Sequence, residues 1–143
     1  MEILTENAQE TYRLGQEFTD YLVKNNLSVL ALTGDLGAGK TVFISGLAAG
    51  LGIKRRILSP TFILMREYPV ERKDFPFRRL YHIDLYRIES EKDIEALGLK
   101  EIMADPVNLV AIEWAEKMRG LPKKRVEVKF KYVDENRRKI NIT

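Results

Sequence analysis

The sequence predicts a three-layer α/β domain with a central, mostly parallel sheet and a C-terminal antiparallel hairpin. Apolar segments typical of buried strands alternate along the chain with segments of helical periodicity, which indicates a sheet covered by helices on both faces. The last two strand segments alternate polar and apolar residues around a turn at residues 134–136, and this pattern predicts the hairpin. A length of 143 residues predicts one domain spanning residues 1–143.

The first half of the chain is predicted to hold two helices with a buried strand between them. The first helix is expected to begin at a Thr5 cap and to run to about Asn25. Its apolar face has helical spacing and consists of Leu14, Phe18, Tyr21 and Leu22. Residues 28–33 form an apolar run, as expected of a strand buried on both faces. The second helix is predicted over residues 40–51, where two glycines end it.

The second half of the chain is predicted to consist mainly of strands. A charged surface turn is expected at residues 70–76, between two of these strands. A short helix is expected to start at Ser90, where Asp93 takes the place of the glutamate of a capping box. The predicted strands are residues 62–68, 77–85, 107–112, 125–132 and 138–143.

Composition excludes several classes of site. The chain has no cysteine, so it has no disulfide, thiolate zinc site or thiol nucleophile, which agrees with a cytoplasmic location. We expect neither a membrane span nor a signal peptide, because apolar runs are short and the N-terminal residues are acidic and polar. The net charge is only +3, but basic residues cluster at positions 54–56, 78–79, 123–125 and 137–139. Such clusters are compatible with a solvated surface, with RNA or with an acidic partner.

The segment GDLGAGKT, residues 34–41, satisfies the phosphate-binding pattern G-x-x-x-x-G-K-[ST] in full. Glycines let phosphate oxygens approach backbone N–H groups closely, and the following helix N-terminus offers unpaired donors and a positive dipole end. Lys40, which we expect on an exposed loop, can reach the β- and γ-phosphates, and the Thr41 hydroxyl can ligate Mg²⁺. We therefore predict a P-loop NTPase-like domain that binds a nucleotide through its phosphates.

Two acidic residues follow apolar strand segments and are candidates for completing a magnesium site. Asp84 follows the run LYHI, and Glu113 follows the run LVAI. In open α/β sheets, ligands bind at the carboxyl ends of the parallel strands, which is where both acids are expected. The pattern leaves open which carboxylate ligates the metal directly and which acts through water.

Three further features allow both a functional and a plain structural interpretation. Ser59 and Thr61, in the segment SPTF, belong either to a switch-like loop that senses a γ-phosphate or to an ordinary turn. His82 shares a strand face with Asp84, and a packed structural histidine is the simpler interpretation. Trp114 is either a core aromatic residue or a bulky wall beside the nucleotide.

Five segments in order, GDLGAGKT, SPTF, YHIDLYR, EALGLKEI and IEWAEK, resemble the TsaE family of bacterial P-loop ATPases over nearly the whole chain. The resemblance implies an ATPase that acts with the TsaB and TsaD proteins to make threonylcarbamoyladenosine beside the anticodon of tRNA. It implies ATP or ADP and Mg²⁺ as ligands, with tRNA contacted indirectly or directly. It also implies that the phosphates are held by Gly34, Asp35, Leu36, Gly37, Ala38, Gly39, Lys40, Thr41 and Val42.

The same resemblance implies roles for residues outside this segment. Thr41 and Glu113 would hold Mg²⁺, and Asp84 would support the metal or the attacking water. Lys40, Asp84 and Glu113 are then the expected catalytic residues. The other implied site residues are Ser59 and Thr61, in the switch-like loop, and Trp114, next to the site.

ATP hydrolysis at such a site depends on positioning and charge more than on covalent chemistry. The sequence contains no obvious arginine directed at the site, and Arg87, in the segment DLYR, is the nearest candidate. We therefore expect slow intrinsic hydrolysis that partners stimulate. The alternatives are a small P-loop kinase that phosphorylates a metabolite, a GTPase switch and a nucleotide-sensing adaptor without hydrolysis. A GTPase is disfavoured because the guanine-specific pattern N-K-x-D does not occur.

Overall fold

A computed structural model describes residues 1–58 and 64–143 as a sheet with helices between several of its strands. The strands are β1 (Glu2–Thr5), β2 (Val29–Thr33), β3 (Met65–Pro69), β4 (Arg79–Asp84), β5 (Asn108–Glu113), β6 (Val126–Tyr132) and β7 (Arg138–Ile142). The helices are α1 (Ala8–Lys24), α2 (Lys40–Gly50), α3 (Glu91–Glu95) and α4 (Leu99–Ala104), and a short 3₁₀ helix lies at Ala115–Lys117. Within the described residues, the strands form one seven-stranded sheet in the order β1-β7-β6-β2-β5-β4-β3.

The sheet is mixed and not mostly parallel, so this part of the prediction was wrong. Three described strand pairs are parallel, namely β2–β5, β2–β6 and β4–β5, and three are antiparallel, namely β1–β7, β3–β4 and β6–β7. The chain passes from β3 to β4 and from β6 to β7 without a crossover helix, and such short connections produce antiparallel neighbours. The predicted C-terminal hairpin is confirmed, with Phe130 opposite Ile140 and with the Asp134 carboxylate accepting backbone N–H groups of the turn.

The N-terminal residues form an edge strand that was not predicted. Thr5 ends β1 opposite Arg138, whereas α1 is capped by Asn7, whose Oδ1 accepts the Glu10 backbone N–H. The expected Thr5 cap was therefore wrong. The Thr5 hydroxyl is buried and lies 2.7 Å from the Thr11 hydroxyl, so it ties the strand to the first turns of α1. A four-residue strand that pairs with the other end of the chain has no local sequence signal.

The other predicted elements agree closely with the structure. The buried strands and the second helix differ by one or two residues at their ends from β2, α2, β4 and β5. Ser90 caps α3 as expected, through a hydrogen bond from the Asp93 backbone N–H, whereas α4 was not predicted. The strand predicted over residues 62–68 corresponds to β3, although residues 62 and 63 lie outside the described residues.

Helices cover both faces of the central strands. Leu30 and Leu32 of β2 pack with α1 and α2 on one face, whereas Ala31 packs with α3, α4 and the 3₁₀ helix on the other. Val110 and Ile112 of β5 also face this second group of helices. Because successive residues of a strand point to opposite faces, burial on both faces explains why these strands are continuously apolar. None of the helices that the structure describes is both long and apolar enough to cross a membrane.

Candidate functional site

The loop between β2 and α2 has a backbone conformation that favours glycine at three positions. Gly34, Gly37 and Gly39 have φ values of +137°, +77° and +98°, which side chains rarely adopt. A Cβ atom on Gly37 would meet no other atom within 4 Å, whereas one on Gly34 would lie 2.5 Å from the Phe130 carbonyl oxygen. The loop is therefore packed against β6 at its start and faces open space at its middle.

This loop forms one wall of a cavity of about 280 Å³ at the carboxyl ends of the central strands. α2 begins at Lys40, directly after the loop, so the unpaired N–H groups of its first turn lie at the same end of the sheet. Parallel pairing of β4 with β5 places Asp84 opposite Glu113 and brings the two predicted acids together. The lining residues are 36–42, Asp84, Glu113, Trp114, Ala8, Thr11, Glu135, Asn136 and Arg138.

Lys40 is buried, in contrast to the expectation that it lies on an exposed loop. It is the first residue of α2 and is 4% exposed. Its ammonium group donates to the carbonyl oxygens of Gly34 and Asp35 and lies 4.0 Å from the centroid of the Trp114 ring. Burial lowers the pKa of Lys40, and nearby carboxylates, led by that of Glu113, oppose this shift. The loop and the tryptophan therefore hold a cation at the cavity wall.

Thr41 and Glu113 place hard oxygen ligands side by side. The Thr41 hydroxyl lies 3.4 Å from both carboxylate oxygens of Glu113, which is itself 3% exposed. Neighbouring oxygen ligands of an octahedral Mg²⁺ lie about 3 Å apart, so this pair fits two adjacent ligand positions. Within residues 1–58 and 64–143, no group of three or more His, Cys, Asp or Glu side chains could hold a metal ion. A cation here would take its other ligands from a bound oxyanion or from water.

Asp84 and His82 lie near Glu113 on the same face of the sheet. Asp84 Oδ1 accepts the Tyr86 backbone N–H at 2.9 Å, and burial raises the pKa of the Asp84 carboxyl group. His82 is fully buried, and its Nε2 lies 2.6 Å from Glu113 Oε2. The shared face of His82 and Asp84 was predicted from strand alternation. The contact of His82 with Glu113 depends on the pairing of β4 with β5, so the sequence of β4 alone could not predict it.

Trp114 lies beside the cavity and has a strained backbone. It directly follows β5, and its φ of +58° lies in the left-handed region that bulky residues rarely adopt. The ring lies over the Lys40 ammonium, and its centroid is 5.1 Å from that of Tyr86. Trp114 is partly buried against the core on one side of the sheet and also lines the cavity, so its position has features of both interpretations.

The structure brings to the cavity an arginine that sequence reasoning missed. Arg138, the first residue of β7, donates from Nη2 to the Gly37 carbonyl oxygen at 2.9 Å, and its guanidinium lies 4.7 Å from the centroid of the Tyr132 ring. It lines the cavity, whereas Arg87, the arginine considered nearest, does not. The only signal in the sequence was the basic cluster at residues 137–139. Arg138 lies close to the loop because its strand, β7, pairs with β6, and β6 pairs with β2, the strand that leads into the loop.

The remaining predicted site residues have different positions. Ser59 and Thr61 lie outside the described residues. Val42 lines the cavity. Gly34 and Asp35 do not line it, but their carbonyl oxygens accept hydrogen bonds from the lysine ammonium.

Comparisons with known proteins agree with one another. The family described as Threonylcarbamoyl adenosine biosynthesis protein TsaE matches residues 5–140. The tRNA threonylcarbamoyladenosine biosynthesis protein TsaE of Nostoc sp. is 44% identical over 81% of this chain and 70% of its own length. The protein of the same name from Treponema pallidum is 35% identical over 99% of both chains. The crystal structure of Bacillus subtilis YdiB has a TM-score of 0.70 and 31% identity, covering 99% of this chain and 83% of that chain.

Proposed function

Since this chain belongs to the TsaE family of tRNA threonylcarbamoyladenosine biosynthesis proteins, we propose that it binds and hydrolyses Mg-ATP with a P-loop NTPase-like fold. We further propose that hydrolysis supports turnover of a complex of the TsaB and TsaD proteins, with tRNA contacted indirectly or directly. One observation carries the proposal. The glycine loop, Lys40, Thr41 and the two carboxylates Asp84 and Glu113 surround a single cavity.

The loop supports binding of a polyphosphate. The Lys40 ammonium, which now donates to two backbone carbonyl oxygens, can donate instead to anionic phosphate oxygens. Each charge-assisted hydrogen bond of this kind contributes about 1.5–3 kcal/mol. A bound Mg²⁺, held by Thr41 and Glu113, would neutralise charge on the β- and γ-phosphates. Binding of a magnesium–polyphosphate complex would therefore use the lysine, the hydroxyl and the carboxylate together.

Asp84 is suited to orient the attacking water. Its carboxylate is fixed by the Tyr86 N–H, and the raised pKa makes it a stronger proton acceptor than an ordinary aspartate. The water oxygen forms a bond to the γ-phosphorus as the bond to the β–γ bridging oxygen breaks and ADP leaves. An arginine that contacts the γ-phosphate typically speeds hydrolysis about 10³- to 10⁵-fold. Arg138 is held at the loop by the Gly37 carbonyl oxygen, so we propose that it does not take this role and that the isolated chain turns over slowly.

The test compares ATP hydrolysis by the chain alone and after addition of TsaB and TsaD. Because Lys40 is buried, the informative variant is Lys40→Met, which keeps the aliphatic stem, and exposed Lys54→Met is the matched control. We expect stimulation by the partners that is lost in Lys40→Met and retained in Lys54→Met. Unchanged hydrolysis in Lys40→Met would contradict the site. Stimulation by neither partner would remove the TsaB–TsaD role, and transfer of phosphate to a metabolite would indicate a kinase.

A further inference from the structure

The His82 side chain makes a single hydrogen bond within the described residues, and its partner, Glu113, belongs to the proposed metal site. The side chain is completely buried, with Nε2 2.6 Å from Glu113 Oε2. The other ring nitrogen, Nδ1, is buried and has no hydrogen-bond partner among the described residues. Burying an imidazole costs folding free energy unless the ring is hydrogen-bonded, so the contact with Glu113 is what offsets this cost.

The contacts of the ring indicate where its proton lies. An ionised carboxylate only accepts hydrogen bonds, so the short contact requires a proton on Nε2. In the neutral ring, Nδ1 is then an unprotonated acceptor. The opposite tautomer would place two lone pairs against each other at Nε2 and leave a buried N–H donor unpaired at Nδ1, which is costlier. The geometry therefore favours the tautomer that carries its proton on Nε2.

We infer that His82 is a positioning residue that holds the Glu113 carboxylate in the orientation needed to ligate Mg²⁺. The parallel register places Asp84 opposite Glu113 and His82 two residues earlier on the same face, so the imidazole reaches the carboxylate diagonally across the two strands. With Oε2 held by His82, the carboxylate stays beside the Thr41 hydroxyl. This inference rests on the proposed function, because it concerns Glu113 as a metal ligand.

Loss of the Nε2 donor should weaken metal binding more than nucleotide binding. Hydrogen-bond partners of metal ligands typically contribute 10- to 100-fold to metal affinity. His82 does not line the cavity, so it has no contact with a nucleotide that its removal would abolish. We therefore expect the enhancement of ADP affinity by Mg²⁺ to fall about 10- to 100-fold without His82, and the affinity for ADP alone to stay unchanged.

Two amide variants provide a matched test. In His82→Gln the amide nitrogen occupies nearly the position of Nε2, whereas in His82→Asn it occupies that of Nδ1 and cannot reach Glu113. Calorimetric titrations of the full chain with ADP, with and without Mg²⁺, should show a retained magnesium effect in His82→Gln and its loss in His82→Asn. Equal behaviour of the two variants, or equal losses with and without Mg²⁺, would overturn the positioning role.

Two controls separate this inference from the proposed function. Glu113→Gln should abolish the magnesium effect, and if it does not, Glu113 is not a ligand and both the metal assignment and the role of His82 fail. If Glu113→Gln abolishes the effect while His82→Asn leaves it intact, only the positioning role fails. Should His82→Asn not fold, ¹⁵N NMR of the unmodified chain still tests the inference. A proton on Nε2 supports it, and a proton on Nδ1 alone overturns it.

Discussion

Replacing Gly46 with alanine should destabilise the protein, although alanine is the better helix former. Gly46 lies inside α2, where a Gly→Ala exchange ordinarily stabilises a helix by about 0.5–1 kcal/mol. In this fold, however, the new Cβ atom would lie 1.9 Å from the Tyr12 carbonyl oxygen of α1. Propensity and packing therefore predict opposite signs for the same substitution.

The size of the effect follows from how far the two helices must separate. Ordinary contacts of a Cβ atom begin at 3.4 Å, so α1 must move by roughly 1.5 Å or the backbone must distort. The atom in the way is a backbone oxygen, which cannot rotate aside as a side chain can. Overpacking of a close-packed interior typically costs about 1–3 kcal/mol, and a clash with backbone belongs at the upper end. After the helix-propensity gain, we expect a net loss of about 2 kcal/mol and a melting temperature lower by about 5 °C or more.

Thermal and denaturant unfolding followed by circular dichroism measure this difference. Ser45→Ala, at a half-buried neighbouring position of α2, is the control and should change stability by less than about 0.5 kcal/mol. Gly15→Ala should repeat the loss from the other helix, because its Cβ atom would lie 2.1 Å from the Phe43 carbonyl oxygen. A Gly46→Ala protein as stable as the parent, or more stable, would refute the close approach of the helices.

Three further substitutions test the cavity. Lys40→Met should lower ATP affinity about 10- to 150-fold in equilibrium binding, because one charge-assisted hydrogen bond is lost. Unchanged affinity would show that Lys40 is not part of the site. Asp84→Asn should abolish most hydrolysis yet raise the melting temperature at pH 7, because burial raises the pKa of Asp84 and its ionised form opposes folding above that pKa. This gain should disappear below about pH 4, where Asp84 is protonated in folded and unfolded chains alike, and a gain that persists there would contradict the explanation. Arg138→Ala should weaken ATP binding by up to about tenfold, since its hydrogen bond supports the loop at Gly37, and equal losses in the neighbouring Arg137→Ala would indicate general charge instead.

Local patterns in the sequence were sufficient to predict the loop and the central strands. The spacing of Gly34, Gly39, Lys40 and Thr41 predicts a glycine loop that leads into a helix, because the backbone conformation there depends on residues that are adjacent in the chain. Continuously apolar segments indicated β2 and β5 because burial on both faces leaves no polar alternation. The positions of Asp84 and Glu113 at strand ends followed from the same patterns.

Pairing between distant segments could not be predicted in the same way. β1 pairs with β7, at the other end of the chain, so Thr5 was misread as a helix cap. The antiparallel pairs that make the sheet mixed also depend on how the outer strands pair with their neighbours. The burial of Lys40 was missed because Trp114, which covers its ammonium group, follows a strand far along the chain.

The glycine loop, the helix that follows it, the buried strands and the hairpin turn have local causes, and each could be predicted from the amino-acid sequence. Which side chains meet in the cavity depends on how distant segments of the chain pack together. Arg138 reaches Gly37, and His82 reaches Glu113, through strand register, and a shift of one residue would turn either side chain to the opposite face of the sheet. The register of the strands is set by the packing of two layers of helices on the sheet. This packing involves residues from the whole chain, so no short segment predicts it.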